Sequence, residues 1–290
     1  MYDILFSMSE NINSELTKRG HAVQEGVYIP ETGFTYPEAP DIPLWNPKAK
    51  EVIVDENYPF FDKSFLGRLQ NYRIYAGAWA LAFPLNKIRY GLKVVGREKI
   101  KQHKDLLKNG CITICNHVYR WDFLAVLEAC KWRRMWVIVK PSNLGTSDCD
   151  LIRGIGGIPL PDGIHAGHKF NETLDYLHKR KKWIHVFPES CRWDFYEPIR
   201  PFKKGAFVLA QKWNAPILPM VISYRKPTGF LYEKILKQKH PLITITVGDP
   251  ITPRSDLSRK ENIHYLRETC HKKMVEMAGI KNNCWQCDGD

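Results

Sequence analysis

The stretch CITICNHVYRWDFLAVLEAC, residues 111–130, decides the fold. Its opening run CITIC is too short for a helix and reads as a buried strand, whereas FLAVLEAC suits a helix. Between them lie His117 and, five positions on, Asp122. Five residues turn an ideal helix by about 500°, so the two side chains would not share a helical face. They meet if His117 lies in the turn and Asp122 opens the helix. There the carboxylate gains from the positive helix end and accepts the imidazole Nδ1–H, leaving Nε2 as a free base. That is the base-and-orienter half of a triad, with no serine nucleophile in evidence.

The same alternation runs outward from this unit. Short β-prone runs fall at 92–95, 111–115, 135–139, 157–160, 183–187, 217–224 and 242–247. Helical patterns separate them: Phe170, Leu174 and Leu177 mark one face, residues 205–213 a short helix, and Ile263 to Met277 a terminal one. Alternating strands and helices predict an α/β fold, a largely parallel or mixed sheet with helices on both faces. Ligands of such folds sit beyond the strand ends.

Four segments are expected. Residues 1–64, rich in proline and polar residues, read as an irregular arm. Residues 65–91 hold an amphipathic helix in which Phe65, Leu69, Tyr72, Ala76, Trp79 and Phe83 form one apolar stripe, ended by Pro84. Arg68, Arg73, Lys87 and Arg89 flank it. Such a stripe packs either on the core or in a lipid interface, and aromatics with flanking cations favour the interface. Residues 92–280 form the main domain and 281–290 a tail. No apolar run approaches the roughly 20 residues that span a bilayer.

The chain of 290 residues carries 43 Lys and Arg against 31 Asp and Glu, a net charge of +12. Such an excess favours anionic partners: nucleic acid, a phospholipid surface or phosphorylated substrates. No recognition-helix, zinc-finger or RNP-type pattern appears, so nucleic acid is not expected. The first residues lack an export signal, so the eight cysteines are expected to be reduced and the protein cytoplasmic. The pair Cys284 and Cys287 has no second CxxC to complete a zinc site, and no metal is expected.

Other strand ends carry chemistry too. MWVIV ends on Lys140; WIHVF leads into FPESCRW with Glu189 and Arg192; PFKKG supplies Lys203 and Lys204. A parallel sheet would gather a base, a hydroxyl-binding carboxylate and cations for a phosphate into one crevice. These pieces, in this order, resemble the glycerolipid acyltransferases typified by 1-acyl-sn-glycerol-3-phosphate acyltransferase. The NHxxxxD motif matches Asn116, His117 and Asp122, and FPEGTR matches residues 187–192. The strand-end lysine is similar to Lys140, and the proline-rich block to residues 215–219.

The resemblance covers roughly residues 93–250 and implies an O-acyltransferase of phospholipid biosynthesis. An acyl-CoA or acyl-carrier-protein thioester would be the donor and co-substrate, with no cofactor. A lysophosphatidate-like glycerolipid would be the acceptor, and the enzyme would sit peripherally or monotopically on the cytoplasmic face of an anionic membrane. It implies that Glu189 holds the glycerol part and that Lys140 and Arg192 hold the phosphate. Two departures bear on the acceptor: Pro161 and Asp162 stand where the second block usually ends in arginine, and Tyr119 and Ser190 replace small residues. A phosphate contact is then either absent or supplied by Arg153, Lys203 or Lys204. The other readings are a non-catalytic lipid-binding protein of the same fold and an acyltransferase for a different lipid acceptor. Cys115, two residues before His117, is expected to be buried and inert, so transfer is expected to be direct.

Overall fold

The computed structural model describes residues 28–30, 32–45, 49–60 and 64–287. The first 27 residues of the expected arm and the last three of the tail lie outside them. In chain order, α1 (Phe65–Phe83) precedes β1 (Lys93–Val95), α2 (Glu98–Gln102), α3 (Lys104–Leu107) and β2 (Ile112–Ile114). Then come α4 (Asp122–Ala129), β3 (Met135–Val139), α5 (Pro141–Leu144), α6 (Cys149–Gly154) and β4 (Gly157–Pro159). The chain continues with α7 (Gly163–Lys179), β5 (Trp183–Val186), α8 (Gly205–Trp213) and β6 (Ile217–Arg225). It ends on β7 (Leu242–Val247) and α9 (Arg259–Ala278).

All seven expected strands form, each within one residue of its expected ends; the apolar runs of the inner strands β2 and β6 are buried along nearly their whole length, whereas the edge strand β1 is largely exposed. They make one mixed sheet in the order β1-β7-β6-β2-β5-β3-β4. Five neighbouring pairs are parallel, and only β6 and β7 are antiparallel. Two apolar cores flank the sheet. One takes in Ala78 and Ala82 of α1 with most of α4; the other takes in Phe170, Leu174 and Leu177 of α7 together with α8 and α9. The central strand β2 continues to β3 on one side, whereas β5 continues to β6 on the other. The chain therefore parts at the carboxyl ends of β2 and β5, where sheets of this kind open a crevice.

Local chemistry fixes several helix ends. The Ser64 hydroxyl accepts from Gly67 N at 3.0 Å and starts α1. Pro84 ends the α-helical ladder, as expected, but the chain then makes a wider turn over Pro84–Arg89 in which Tyr90 N reaches Leu85 O, five residues back. Ser258 and Glu261 form a reciprocal capping box on α9.

The stripe on α1 does not pack on the core. Phe65, Leu69, Tyr72, Ala76, Trp79 and Phe83 are all exposed, Phe65 at 71% and Tyr72 at 67%. The face turned to the domain consists of small or half-buried residues: Ala78, Ala82, Ile74 and Tyr75. The helix is therefore apolar on both sides rather than amphipathic in the usual sense. Among the described residues no helix, α1 included, is long and apolar enough to cross a membrane.

The described arm has no helix or strand, as expected, yet it is tied down along its length. Tyr36 stacks on Trp193 at 5.8 Å, and the Trp193 indole donates to Ile42 O at 2.7 Å. Val54 N donates to Asp162 Oδ2 at 2.8 Å and its carbonyl accepts from Asp162 N at 3.0 Å. The Lys50 amide donates to Gly145 O at 3.0 Å, and a Cβ on Gly145 would collide with the Lys50 carbonyl. The arm thus crosses the loops that follow β5, β4 and β3. The expected tail is also docked: Asn283 brackets Ile199, and Cys287 is buried against Phe202 N.

Gly145→Ala should push the arm off this loop and cost about 1–3 kcal/mol. Limited proteolysis should then cut the arm near residue 50 faster than in the wild type. Equal cutting rates and an unchanged melting temperature would contradict the close approach.

Candidate active site

His117 lies in the turn after β2 and Asp122 is the first residue of α4. The imidazole Nδ1 is 2.6 Å from Asp122 Oδ2, and the same oxygen accepts the Val118 amide at 3.1 Å. An ionised carboxylate only accepts, so in the neutral imidazole Nδ1 carries the proton and Nε2 keeps its lone pair. Asp122 is buried, whereas the His117 side chain keeps 21% exposure, enough to meet a substrate. The ring lies on Phe187, with centroids 4.2 Å apart and planes within 20°.

The backbone around His117 is held from three sides. Asn116 accepts from Ile222 N at 2.7 Å and donates to Ile222 O at 3.0 Å, so its amide extends the β2–β6 ladder beyond the last strand residue. His117 O accepts from Trp193 N at 3.1 Å, and Val118 O from Phe195 N at 2.7 Å. The His117 amide donates to Glu189 Oε2 at 2.9 Å.

That last bond corrects the expected part of Glu189. Its carboxylate does not face the crevice. Its side chain is wholly buried, and both oxygens are taken: Oε1 by Arg200 N at 2.9 Å, and Oε2 by His117 N and Arg200 Nη2, the latter at 2.8 Å. A carboxylate so enclosed serves the loop rather than a ligand hydroxyl. Arg200 was not singled out from the sequence. It is as buried as Glu189, bonds the Cys191 and Pro40 carbonyls as well, and stacks on Trp193 at 4.4 Å. Eleven residues separate the pair, so no local pattern marks it.

The expected cations are differently placed. Arg192 pairs with Asp194 at 2.7 Å, so its charge is largely met inside the protein. Burial raises the Asp194 carboxyl, against the opposing pull of Arg192. Lys203 is exposed and 3.7 Å from Asp41, but its amide bonds Pro188 O, which brings it beside the FPES segment. Lys204 is exposed at the start of α8. Lys140, half-buried at the end of β3, has no ion-pair partner among the described residues. Arg153 donates to the Tyr58 hydroxyl at 2.8 Å, and Asp162 is taken by Val54, so the arm holds both positions near the second block. Tyr119, the bulky residue inside the motif, is buried against Tyr90 at 5.0 Å.

Two buried groups lie under the histidine. Cys115 is fully enclosed, and burial with the Asp122 and Glu189 charges nearby pushes its thiol well above the usual range. His185 on β5 shares a 2.8 Å hydrogen bond with Thr113 and meets the edge of Phe187 at 4.5 Å. Burial, with a smaller push from His117, lowers its pKa to about 3, so it stays neutral. Among the described residues no cluster of three His, Cys, Asp or Glu could hold a metal ion.

Fold and site together define an α/β protein with a histidine–aspartate pair where its sheet connections diverge. Residues 91–223, which include that pair and Glu189, match the model of the Acyltransferase family. The chain is 37% identical over 105 residues to a putative 1-acyl-sn-glycerol-3-phosphate acyltransferase of Caenorhabditis elegans, covering 35% of this chain and 36% of that one. It is 28% identical over 193 residues to the human 1-acyl-sn-glycerol-3-phosphate acyltransferase beta, covering 65% and 66%. Over 54 residues it is 46% identical to the 1-acyl-sn-glycerol-3-phosphate acyltransferase of Saccharomyces cerevisiae, 18% of each chain. The chain thus spans between 18% and 66% of the length of these relatives. The crystal structure of the 1-acyl-sn-glycerophosphate (LPA) acyltransferase PlsC from Thermotoga maritima aligns with a TM-score of 0.46 at 20% identity. That alignment covers 75% of this chain and 97% of that one.

Arg200→Ala strands a buried carboxylate and should cost about 3–5 kcal/mol. The double variant Glu189→Gln/Arg200→Met should lose less, since no buried charge is left unpaired. Urea midpoints that rank the two the other way would contradict the pairing. His185 gives a pH test. Its folded pKa lies below the unfolded value near 6.5, so the unfolded chain binds the extra proton. Stability is therefore full above pH 6.5 and falls towards pH 3, by at most ~1.4 kcal/mol per pH unit from this group. His185→Gln should flatten that fall in melting temperature; an unchanged slope would contradict it.

Proposed function

We propose that this chain transfers a fatty acyl group from an acyl-CoA or acyl-carrier-protein thioester to a hydroxyl of a lysophosphatidate-like glycerolipid. The observation that carries the reading is the 2.6 Å contact between His117 Nδ1 and Asp122 Oδ2, on a histidine whose side chain keeps 21% exposure; it leaves Nε2 as the nitrogen free to act as a base. His117 Nε2 takes the acceptor hydroxyl proton as that oxygen attacks the thioester carbonyl. The tetrahedral intermediate collapses, the C–S bond breaks, and the departing thiolate takes the proton from the imidazolium. Asp122 stabilises the imidazolium while it lasts. General-base help of this kind is typically worth about 10²–10⁴-fold, and positioning supplies the rest.

The enclosed Cys115 thiol supports direct transfer without an acyl-enzyme. Glu189 acts here by holding the His117 backbone. For the acceptor's anionic group, Lys140 is the best-placed candidate, with Lys203 and Lys204 beside the FPES segment. Because Arg192 and Arg153 already have partners within the protein, a lipid acceptor other than lysophosphatidate is the second reading. The names of the relatives favour the first.

The exposed aromatic face of α1 supports peripheral or monotopic attachment to an anionic membrane, on its cytoplasmic side. Buried there, its side chains would hold the enzyme where its lipid acceptor resides.

Purified protein with labelled acyl-CoA or acyl-carrier protein and a panel of lyso-acceptors tests the reading. His117→Ala should abolish transfer while thioester binding persists, and Asp122→Asn should slow it strongly but less completely. Wild-type turnover by His117→Ala would sink the mechanism. Turnover only with acceptors lacking a phosphate would select the second reading.

A further inference from the structure

The loop joining β6 to β7 carries an apolar tip that the catalytic site does not use. Phe230, Leu231, Ile235 and Leu236 are exposed there, Phe230 at 75% and Ile235 at 60%. They surround one wide helical turn, Leu231–Ile235. Lys226, Lys234, Lys237 and Lys239 flank the tip, and none has an ion-pair partner among the described residues. Four large apolar side chains in water beside unmatched cations are costly to keep without a use. An anionic lipid surface meets both features at once, taking the apolar groups below its headgroups and the lysines at its phosphates.

The tip's place in the fold ties it to both α1 and the crevice. Strands β2 and β6 run parallel, so the loop leaves the same sheet end as His117. At its base His240 stacks on Phe195 at 5.6 Å, and the Phe195 amide holds the Val118 carbonyl beside His117. On its other side Tyr232 fills the space over Gly91, just beyond the turn that ends α1. Gly91 has φ +49°, and a Cβ there would come within 2.6 Å of the Tyr232 hydroxyl. Exposed Phe83 and Ile88 with Lys87 and Arg89 lie on that adjoining stretch.

We propose that the β6–β7 loop tip is a second membrane-insertion element, which with α1 sets how the crevice faces an anionic phospholipid surface. This rests on the reading of α1 as a membrane-contacting helix and adds a second contact on the catalytic edge of the sheet. One contact leaves the domain free to swing about α1. Two hold the His117 crevice against the bilayer, so that an acceptor can enter without leaving the interface with its whole chain.

The test uses the full chain and sedimentation with vesicles of phosphatidylcholine alone or mixed equally with phosphatidylglycerol. Phe230→Ser/Ile235→Ser should bind mixed vesicles about tenfold or more weakly, with an unchanged melting temperature because both side chains are exposed. Lys234→Gln/Lys237→Gln should lose much of the preference for phosphatidylglycerol. Leu69→Ser/Trp79→Ser on α1 serves as the reference. If that variant is released while the loop variant binds like the wild type, the proposal is overturned and the α1 reading stands. If the wild type does not sediment with either vesicle, the membrane reading itself fails. If the loop variant instead dissociates a dimer on gel filtration with vesicle binding unchanged, the tip is a contact for a second copy, and the proposal is again overturned.

Discussion

One buried carboxylate organises the end of the sheet that carries His117. Glu189 holds the His117 amide on one oxygen and Arg200 on both, with no solvent to share the load. A pair with side chains at 0% and 1% exposure gains little net stability over an apolar replacement, because each charge gives up its water. What it secures is geometry. The loop after β5 and the loop after β2 are separate in sequence and meet through this carboxylate, the Trp193 and Phe195 amides and the stacking of His117 on Phe187. Arg200 then draws in the Pro40 carbonyl, so the arm is anchored to the same point. The chemistry proposed for Nε2 needs a ring held in one orientation, and these bonds together with Phe187 hold it.

A second constraint comes from the arm. Where the resemblance implied an arginine for phosphate, this chain has Asp162, and its carboxylate receives the Val54 amide. Arg153 is turned to Tyr58 on the same arm. Both positions here hold the arm across the strand ends. Lys140, at the end of β3, is left without an ion-pair partner among the described residues.

Much of the fold was legible in the sequence. All seven strands announce themselves as short apolar runs, and the alternation with helices gives the sheet its parallel character. The reversal at β7 was not legible, because a doubly buried run such as LITITV looks the same in either direction. The short helices α2, α3, α5 and α6 carry too few turns to show a period. At the site, the pairing of His117 with Asp122 was legible, since a strand end followed by a helix start leaves few places for either. The part played by Glu189 was not. A carboxylate at a strand end reads as ligand-facing, and only Arg200, eleven positions on and with no periodic relation, turns it inward. The stripe on α1 was legible as a stripe, but its direction depended on the small Ala78 and Ala82, which seat the opposite face on the domain.

The tautomer of His117 tests the central claim most directly. Nitrogen-15 NMR of the imidazoles at neutral pH, assigned with a His117→Gln variant, reads which ring nitrogen is protonated. The geometry predicts a proton on Nδ1, held by Asp122 and shifted downfield, with a bare Nε2 facing the crevice. Loss of that proton signal in Asp122→Asn would agree. A His117 protonated on Nε2 alone would contradict the account, because the nitrogen required as base would then already hold its proton.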